Sequence, residues 1–158
     1  MTHSLGVKII KTISSTGDGE VVEQTVMVNK QESVAAFHIQ SNATSATVVY
    51  DYKHRLIGFR IQDRKQCSVV AMDSVDVPSL HEITQGIEHF DEQGSGEDHV
   101  SYSFKQGELA DRTILGTTVN ILCSDVPVYW AENNHKAQRS GLLCGGLLIL
   151  KLCLILSL

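Results

Sequence analysis

The 158-residue sequence contains four cysteines, Cys67, Cys123, Cys144 and Cys153, and no two of them form a Cys-x-x-Cys pair. The missing pairs exclude zinc-ribbon and thioredoxin-like sites, because both need cysteines at that close spacing. An even number of widely separated cysteines is typical of two disulfides in an oxidising compartment, but it fits buried free thiols almost as well. The cysteine count by itself therefore leaves the redox state open.

The sequence also lacks an excess of basic residues. Its net charge is −5, and Lys53, His54 and Arg55 form only a short basic run in a predicted turn. Binding to nucleic acid normally needs a basic stripe or patch, so this class of function is excluded. A hydrophobic content of 42% with 20% charged residues describes one globular domain with a single core rather than a disordered chain.

Motifs for catalysis are missing as well. His81-Glu-Ile-Thr-Gln85 resembles the start of a His-Glu-x-x-His zinc helix, but Gln85 stands where the second imidazole ligand is required. No glycine-rich phosphate loop follows a predicted strand, and no Gly-x-Ser-x-Gly elbow is present. We therefore expect no catalytic residue, no metal site and no cofactor, and we do not expect an enzyme.

The two ends of the chain differ in hydrophobicity. Residues 1–8 have no apolar run, so no signal peptide is visible in this chain. Residues 142–158 are almost all Leu, Ile, Gly and Cys, interrupted by Lys151. A membrane-spanning helix needs about 20 apolar residues, and a lysine deep in the bilayer is costly. This segment is therefore either a marginal tail anchor or an apolar tail that docks on the domain or on a membrane interface.

Alternation of apolar and polar residues, and short runs rich in β-branched and aromatic residues, predict strands in the first half of the chain and after residue 100. The predicted strands are 21–29, 34–39, 68–72, 100–104 and 126–130, together with a hairpin whose arms are 47–52 and 56–62.

The period of the apolar residues changes after Pro78. The spacings of three and four residues between Leu80, Ile83, Ile87 and Phe90 predict one face of a helix that begins just after the proline. A second helix is predicted over 108–123. Strands followed by helices predict an α+β fold in which helices cover an antiparallel sheet.

Two polar residues are candidate sites. Asp51 lies in Val-Val-Tyr-Asp-Tyr (48–52), a run otherwise typical of a buried strand. The pattern favours a carboxylate that points to solvent on the alternate face; the alternative is a partly buried carboxylate with a raised pKa, which would make packing sensitive to pH. Asn42-Ala-Thr44 is a sequon in a stretch typical of an exposed loop, and it predicts a possible N-glycosylation site.

Several motifs resemble, in order and spacing, the BRICHOS domain family, and within it the surfactant protein C precursor type. These motifs are Val-Val-Tyr-Asp-Tyr (48–52), Leu-Ile-Gly-Phe (56–59), Val-Pro-Ser-Leu (77–80) and Cys-Ser-Asp-Val-Pro-Val-Tyr (123–129).

The resemblance divides the chain into three parts. It covers residues 37–130 as the domain, and residues 1–36 look like the β-prone linker that precedes the domain in the family. Residues 131–158 then form a polar linker and a hydrophobic tail, which is similar in kind to the C-terminal extension of gastrokines.

The resemblance implies a central sheet with one helix on each face and a disulfide between Cys67 and Cys123. It carries Asp51 over as the invariant aspartate of the family, and the two tail cysteines, Cys144 and Cys153, could form a second disulfide. No cofactor is implied.

The activity implied by the resemblance is chaperone-like. A BRICHOS domain would shield a β-prone or membrane-destined segment of its own precursor, or of another client, in the endoplasmic reticulum or later in the secretory pathway. The alternative is a secreted, gastrokine-like protein that regulates cell proliferation. Association with a membrane through 142–158 and a homo-oligomer are also possible.

Overall fold

The computed structural model describes residues 7–15, 21–40, 45–74, 77–88, 100–134, 142–143 and 152–157. Ten strands in these ranges form one sheet. The strands are β1 (Val7–Ser15), β2 (Val21–Asn29), β3 (Val34–Gln40), β4 (Ser45–Asp51), β5 (Leu56–Ile61), β6 (Cys67–Ala71), β7 (Val100–Leu109), β8 (Val128–Asn134), β9 (Leu142–Leu143) and β10 (Leu152–Ser157). The helices are α1 (Leu80–Glu88) and α2 (Gly116–Leu122), with 3₁₀ turns at Met72–Ser74 and Arg112–Ile114.

The sheet is mixed rather than purely antiparallel, which corrects the expected topology. Its strand order is β1-β2-β3-β4-β5-β6-β8-β7-β10-β9, and the first six strands form an antiparallel meander. β6 then pairs with β8 in parallel, and β7 pairs with β10 in parallel. Parallel neighbours need a long crossover connection, and the chain between β6 and β8 supplies one that contains α1, β7 and α2.

α1 begins where the sequence predicts it. The hydroxyl of Ser79 accepts a hydrogen bond from the backbone N–H of Glu82, and the Glu82 carboxylate accepts one from the N–H of Ser79. This reciprocal pair is a capping box, which satisfies two N–H groups that the helix leaves unpaired. The buried side chain of Ile83 turns the apolar face of α1 onto the sheet.

The second helix is shorter than predicted. Residues 108 and 109 belong to β7, where Leu109 pairs with Tyr129 of β8, and Arg112–Ile114 forms a separate 3₁₀ turn. The helix starts only at Gly116. The positive φ of this glycine, +81°, interrupts the helical conformation between the 3₁₀ turn and the α-helix. Strand pairing with a distant segment overrides the helical spacing of the apolar residues, which is why the prediction placed the start of this helix too early.

The two helices lie on opposite faces of the sheet, as the fold prediction states. Ile57 belongs to the hydrophobic cluster under α1, whereas its neighbour Leu56 belongs to the cluster under α2. Because side chains alternate between the faces of a strand, each strand in the middle of the sheet contributes to both clusters. The α1 cluster consists of Val26, Val28, Ala35, Phe37, Ile39, Val48, Tyr50, Ile57, Phe59, Val70, Met72, Ile83 and Ala131. The α2 cluster consists of Leu56, Cys67, Val69, Ala110, Leu115, Val119, Cys123 and Val128.

Strands also occur in the segments predicted to flank the domain. β1 and β2 lie within 1–36 and continue the same sheet, while β8 extends to Asn134 into the stretch expected to be a polar linker. β9 and β10 lie within the apolar tail. The domain boundaries at 37 and 130 stay a prediction.

Candidate functional site

A disulfide joins the sheet to the end of α2. Cys67 is the first residue of β6, Cys123 follows the last residue of α2, and their Cα atoms are 5.6 Å apart. Both side chains are fully buried in the α2 cluster. The bond closes a loop with a sequence separation of 56 residues, which stabilises the fold by roughly 4 kcal/mol if the effect is the lost entropy of the unfolded chain.

Arg60 of β5 supports the same end of α2. Its Nη1 atom donates hydrogen bonds to the backbone oxygens of Leu122, at 3.0 Å, and of Ser124, at 3.1 Å. These two oxygens flank Cys123. The last carbonyls of a helix have no partner within the helix, and a cation beside them also interacts favourably with the helix dipole.

Arg112 also supports the chain around Cys123. It donates to the backbone oxygens of Val126, Cys123 and Asn120 at 2.7–3.2 Å, and its Nε donates to the side-chain oxygen of Asn120. Neither this arginine nor Arg60 was predicted from the sequence. Their partners lie in the chain that surrounds Cys123, so no local pattern marks them.

Asp51 is buried, which makes the solvent-facing interpretation wrong. Its side chain is 2% exposed at the end of β4. The Oδ1 atom accepts hydrogen bonds from the backbone N–H groups of Lys53 and His54, and Oδ2 lies 2.8 Å from Nδ1 of His54. These donors compensate for the loss of water around the carboxylate and fix the turn of the hairpin. Whether this burial makes packing sensitive to pH stays a prediction.

His54 connects Asp51 to the start of α2. A Cβ atom built on Gly116 would lie 2.6 Å from Cε1 of the His54 ring, so the imidazole packs directly on the glycine. Asp51 pairs in register with Leu56 of the α2 cluster, which places the carboxylate on the α2 face of the sheet. Periodicity placed Asp51 on the face of the strand opposite to that of Tyr50. This face is not exposed to solvent, because α2 covers it.

The α1 face carries a row of aromatic rings. The rings of Phe37 and Tyr50 are 5.3 Å apart, and those of Tyr50 and Tyr52 are 6.4 Å apart. The hydroxyl of Tyr52 donates a hydrogen bond to the backbone oxygen of Pro78, 2.7 Å away. Burial raises the pKa of the Tyr52 phenol, and the charge of Glu82 raises it further. The row therefore ties the hairpin to the chain that enters α1.

The strand β7 accepts part of the apolar tail. On one side β7 pairs with β8, and on the other residues 100–105 pair in parallel with residues 152–157 of β10. Leu152 is in register with Val100, and Ser157 is in register with Lys105. The side of β7 that faces away from β8, called here the β7 edge, thus binds through its backbone an extended segment that is almost entirely apolar.

Three predicted site residues are not tested by these contacts. Asn42 and Cys144 lie outside the described residues, and Cys153 lies in β10, whose side chains are not described. Glycosylation of Asn42 and a Cys144–Cys153 disulfide stay predictions. Within the ranges that the structure describes, no helix is long and apolar enough to cross a membrane.

Comparison with known proteins gives one family. A family model for the BRICHOS domain matches residues 42–130. Gastrokine-2 of Rattus norvegicus is 28% identical over 130 residues, which cover 78% of this chain and 71% of that protein. Surfactant protein C of Neovison vison is 30% identical over 124 residues, which cover 73% of this chain and 62% of that protein, less than two thirds of its length. No solved structure gives a significant match.

Proposed function

This chain belongs to the BRICHOS domain family, and we propose that it is a non-enzymatic, chaperone-like protein that shields an apolar, β-prone segment in the secretory pathway. The pairing of β10 with β7 is the observation that carries the proposal. It supports a mechanism in which the domain binds its client by adding a strand to the sheet.

Binding at this edge suits a client of extended apolar sequence. Main-chain hydrogen bonds give affinity without requiring a particular sequence, and the side chains add only loose specificity. An apolar strand that stays unpaired is an aggregation hazard, because its N–H and C=O groups template pairing with other chains. Pairing with β7 occupies those groups on one side of residues 152–157.

The client that the chain itself offers is its tail, 142–158. The tail contains Lys151 among apolar residues, and a charge at that depth disfavours a membrane span. Docking on the domain keeps the apolar residues from aggregating and does not require a lysine to enter a bilayer. Association of the tail with a membrane interface is the competing outcome.

The Cys67–Cys123 disulfide supports the proposed compartment. Disulfides form and persist in the endoplasmic reticulum and outside the cell, and they are rare in the cytosol. The sequon at Asn42 agrees with passage through the same compartment.

The test separates strand addition from general hydrophobic capture. The aggregation of a peptide of residues 142–158 is followed with and without a protein of residues 1–139 whose disulfide and circular dichroism confirm that it is folded. We expect the protein to delay aggregation at an equimolar ratio, and an equal mass of serum albumin serves as the control. Unchanged aggregation, together with carbonate-resistant membrane insertion of the intact chain, would contradict the proposal and favour a tail anchor.

A pair of proline variants of the peptide sharpens the test. Adjacent residues of a strand direct their N–H groups to opposite sides, so only one of Leu154→Pro and Ile155→Pro removes an N–H that faces β7. Strand addition predicts that the two variants bind the protein with clearly different affinities. Equal affinities would indicate hydrophobic capture without strand pairing.

A secreted, gastrokine-like regulator of cell proliferation is the alternative function. The observation that favours it is the coverage of gastrokine-2: the matched regions span 71% and 78% of the gastrokine-2 proteins of rat and mouse. They span only 62% and 65% of two surfactant protein C relatives, and 63% and 65% of mouse gastrokine-3 and human gastrokine-1. Growth arrest of epithelial cells by the purified intact chain, unchanged when β7 is blocked by an excess of tail peptide, would support this alternative.

A further inference from the structure

A second surface lies on the α2 face of the sheet, away from the β7 edge. It is a groove of about 460 Å³ where β3, β4 and β5 run beyond the end of α2, a volume within the range of roughly 300–1,000 Å³ typical of ligand pockets. Six polar residues line this polar groove: His38, Gln40, Ser45, Thr47, Arg60 and Gln62.

The strand register places these residues on one face. Thr47 pairs with His38 on one side and with Arg60 on the other, and Arg60 pairs with Cys67 of the α2 cluster. A Cβ built on Gly58, two residues before Arg60, would touch Leu122 and Val119 at 3.3–3.5 Å. The helix thus covers the sheet at Gly58 and at its partner Val49. The polar groove begins two residues further along the strands, at Arg60 and its partner Thr47.

The charge of the polar groove is opposite to that of the whole chain. Arg60 and His38 are the ionisable residues that line it, and no carboxylate is among the described lining residues, although the chain carries a net charge of −5. Nη1 of Arg60 is held by two carbonyls, whereas Nε and Nη2 have no hydrogen bond to any residue in the described ranges. The guanidinium is therefore fixed in place with three N–H groups left to donate.

The neutral residues add both donors and acceptors. Ser45 donates to the side-chain oxygen of Gln62 at 2.5 Å, and Nδ1 of His38 lies 2.8 Å from the hydroxyl of Thr47. These contacts orient the side chains and leave the amide N–H groups of Gln62 available. A carboxamide can donate to and accept from a peptide backbone, whereas a simple inorganic anion needs donors alone.

We propose that the polar groove binds a short acidic peptide segment. A glutamate or aspartate carboxylate of the partner accepts hydrogen bonds from Nε and Nη2 of Arg60, the planar fork that matches a carboxylate. The backbone beside that residue bonds to the carboxamides of Gln40 and Gln62. This site is separate from the strand-binding edge at β7, so it goes beyond the proposed chaperone function.

The test uses the intact chain and two peptides, acetyl-Gly-Ser-Glu-Ser-Gly-amide and the same peptide with glutamine in place of glutamate. At low ionic strength the glutamate peptide should bind at least about tenfold more tightly, the effect of one charge-assisted pair. Arg60→Gln should abolish this difference. Arg64→Gln removes the same charge outside the polar groove and should preserve it. Equal binding of the two peptides, or no effect of Arg60→Gln in a folded protein, overturns the proposal.

A second measurement decides the matter if Arg60→Gln fails to fold, since Arg60 also holds the end of α2. In the unsubstituted chain, titration with the glutamate peptide should shift the NMR signals of the Arg60 Nε–H and of the Gln62 side-chain amide. Absence of these shifts contradicts the proposal. Shifts produced by inorganic sulfate or by vesicles of anionic lipid, but not by the peptide, also contradict it, because they identify an adventitious ion only or a membrane ligand.

Discussion

The imidazole of His54 occupies the space that a side chain at position 116 would need. All three of its nearest ring atoms lie 2.6–2.8 Å from the place of a Cβ atom on Gly116. The same imidazole lies 2.8 Å from the Asp51 carboxylate. The imidazole therefore links the turn of the β4–β5 hairpin to the start of α2: it contacts Gly116 on α2 and the buried Asp51 carboxylate at the end of β4.

Gly116→Ala is expected to destabilise the fold for two separable reasons. The residue has a φ of +81°, a conformation that costs about 1–3 kcal/mol for other residues, and the new methyl group would displace His54. The free energy of unfolding, measured with urea, should fall by at least that amount. Measured in a chain that already carries His54→Ala, Gly116→Ala should cost only the part due to the backbone conformation, because the clash is then absent. No loss of stability in that background would show that the backbone is not strained.

Asp51→Asn is expected to reduce stability by about 1–3 kcal/mol, because it weakens charge-assisted hydrogen bonds at a buried site. Urea unfolding of Asp51→Asn, His54→Ala and the double variant measures the coupling of the two residues. Asp63→Asn, an exposed aspartate in the turn after β5, is the matched control. Strict additivity of the two single changes would contradict a direct interaction.

Cys67→Ser and Cys123→Ser should each cost about 4 kcal/mol of stability in the chain-entropy model, and expression in a secretory host should give retained, misfolded protein. The double variant should be no less stable than the less stable single variant, because one shared bond can be lost only once. Thermal unfolding of the three proteins tests this. Additive losses would mean that the two cysteines do not form a common bond.

The contribution of Asp111 to stability should depend on pH. The side-chain hydroxyl and the backbone N–H of Thr113 both donate hydrogen bonds to the Asp111 carboxylate. These bonds lower the pKa of Asp111 from its ordinary value of 3.8, and the hydroxyl contributes more than the N–H. A lowered folded-state pKa gives stability that is present above the unfolded-state pKa and is lost as the pH falls through the folded-state value.

The unfolding midpoint of the unsubstituted chain should therefore exceed that of Asp111→Asn at pH 6, and the two should converge in acid below about pH 4. Thr113→Val, which removes the hydroxyl donor, should reduce this pH-dependent difference. A gap between the two proteins that is constant from pH 6 to pH 2 would contradict the assignment.

The elements that the sequence predicts well are those determined by local chemistry. The β4–β5 hairpin follows from two runs of β-branched and aromatic residues around a polar turn, and α1 follows from the apolar spacing after Pro78. The Ser79–Glu82 capping box is a further local signal, on which the prediction of α1 did not rest. These features need only neighbouring residues, and the structure agrees with both.

The features that the sequence does not predict depend on residues far apart in the chain. Arg60 and Leu122, which share a hydrogen bond, are separated by 62 positions. The burial of Asp51 depends on α2, which follows more than 60 positions later, and the start of α2 depends in turn on strand pairing of β7. Periodicity assigns a residue to a face of a strand, but it does not tell which faces are covered.

The parallel pairing of β6 with β8 also has a consequence for folding: the meander β1–β6 is expected to form before β8 is added to it. All pairings among the six strands β1–β6 join neighbours in sequence, and local contacts form faster than contacts between distant segments. Until residues 128–130 emerge from the ribosome, β6 is the open edge of a finished meander. Cys123 is synthesised after all six strands of the meander, so we expect the Cys67–Cys123 disulfide to form only after β1–β6 can pair, and to link the second half of the domain to the meander.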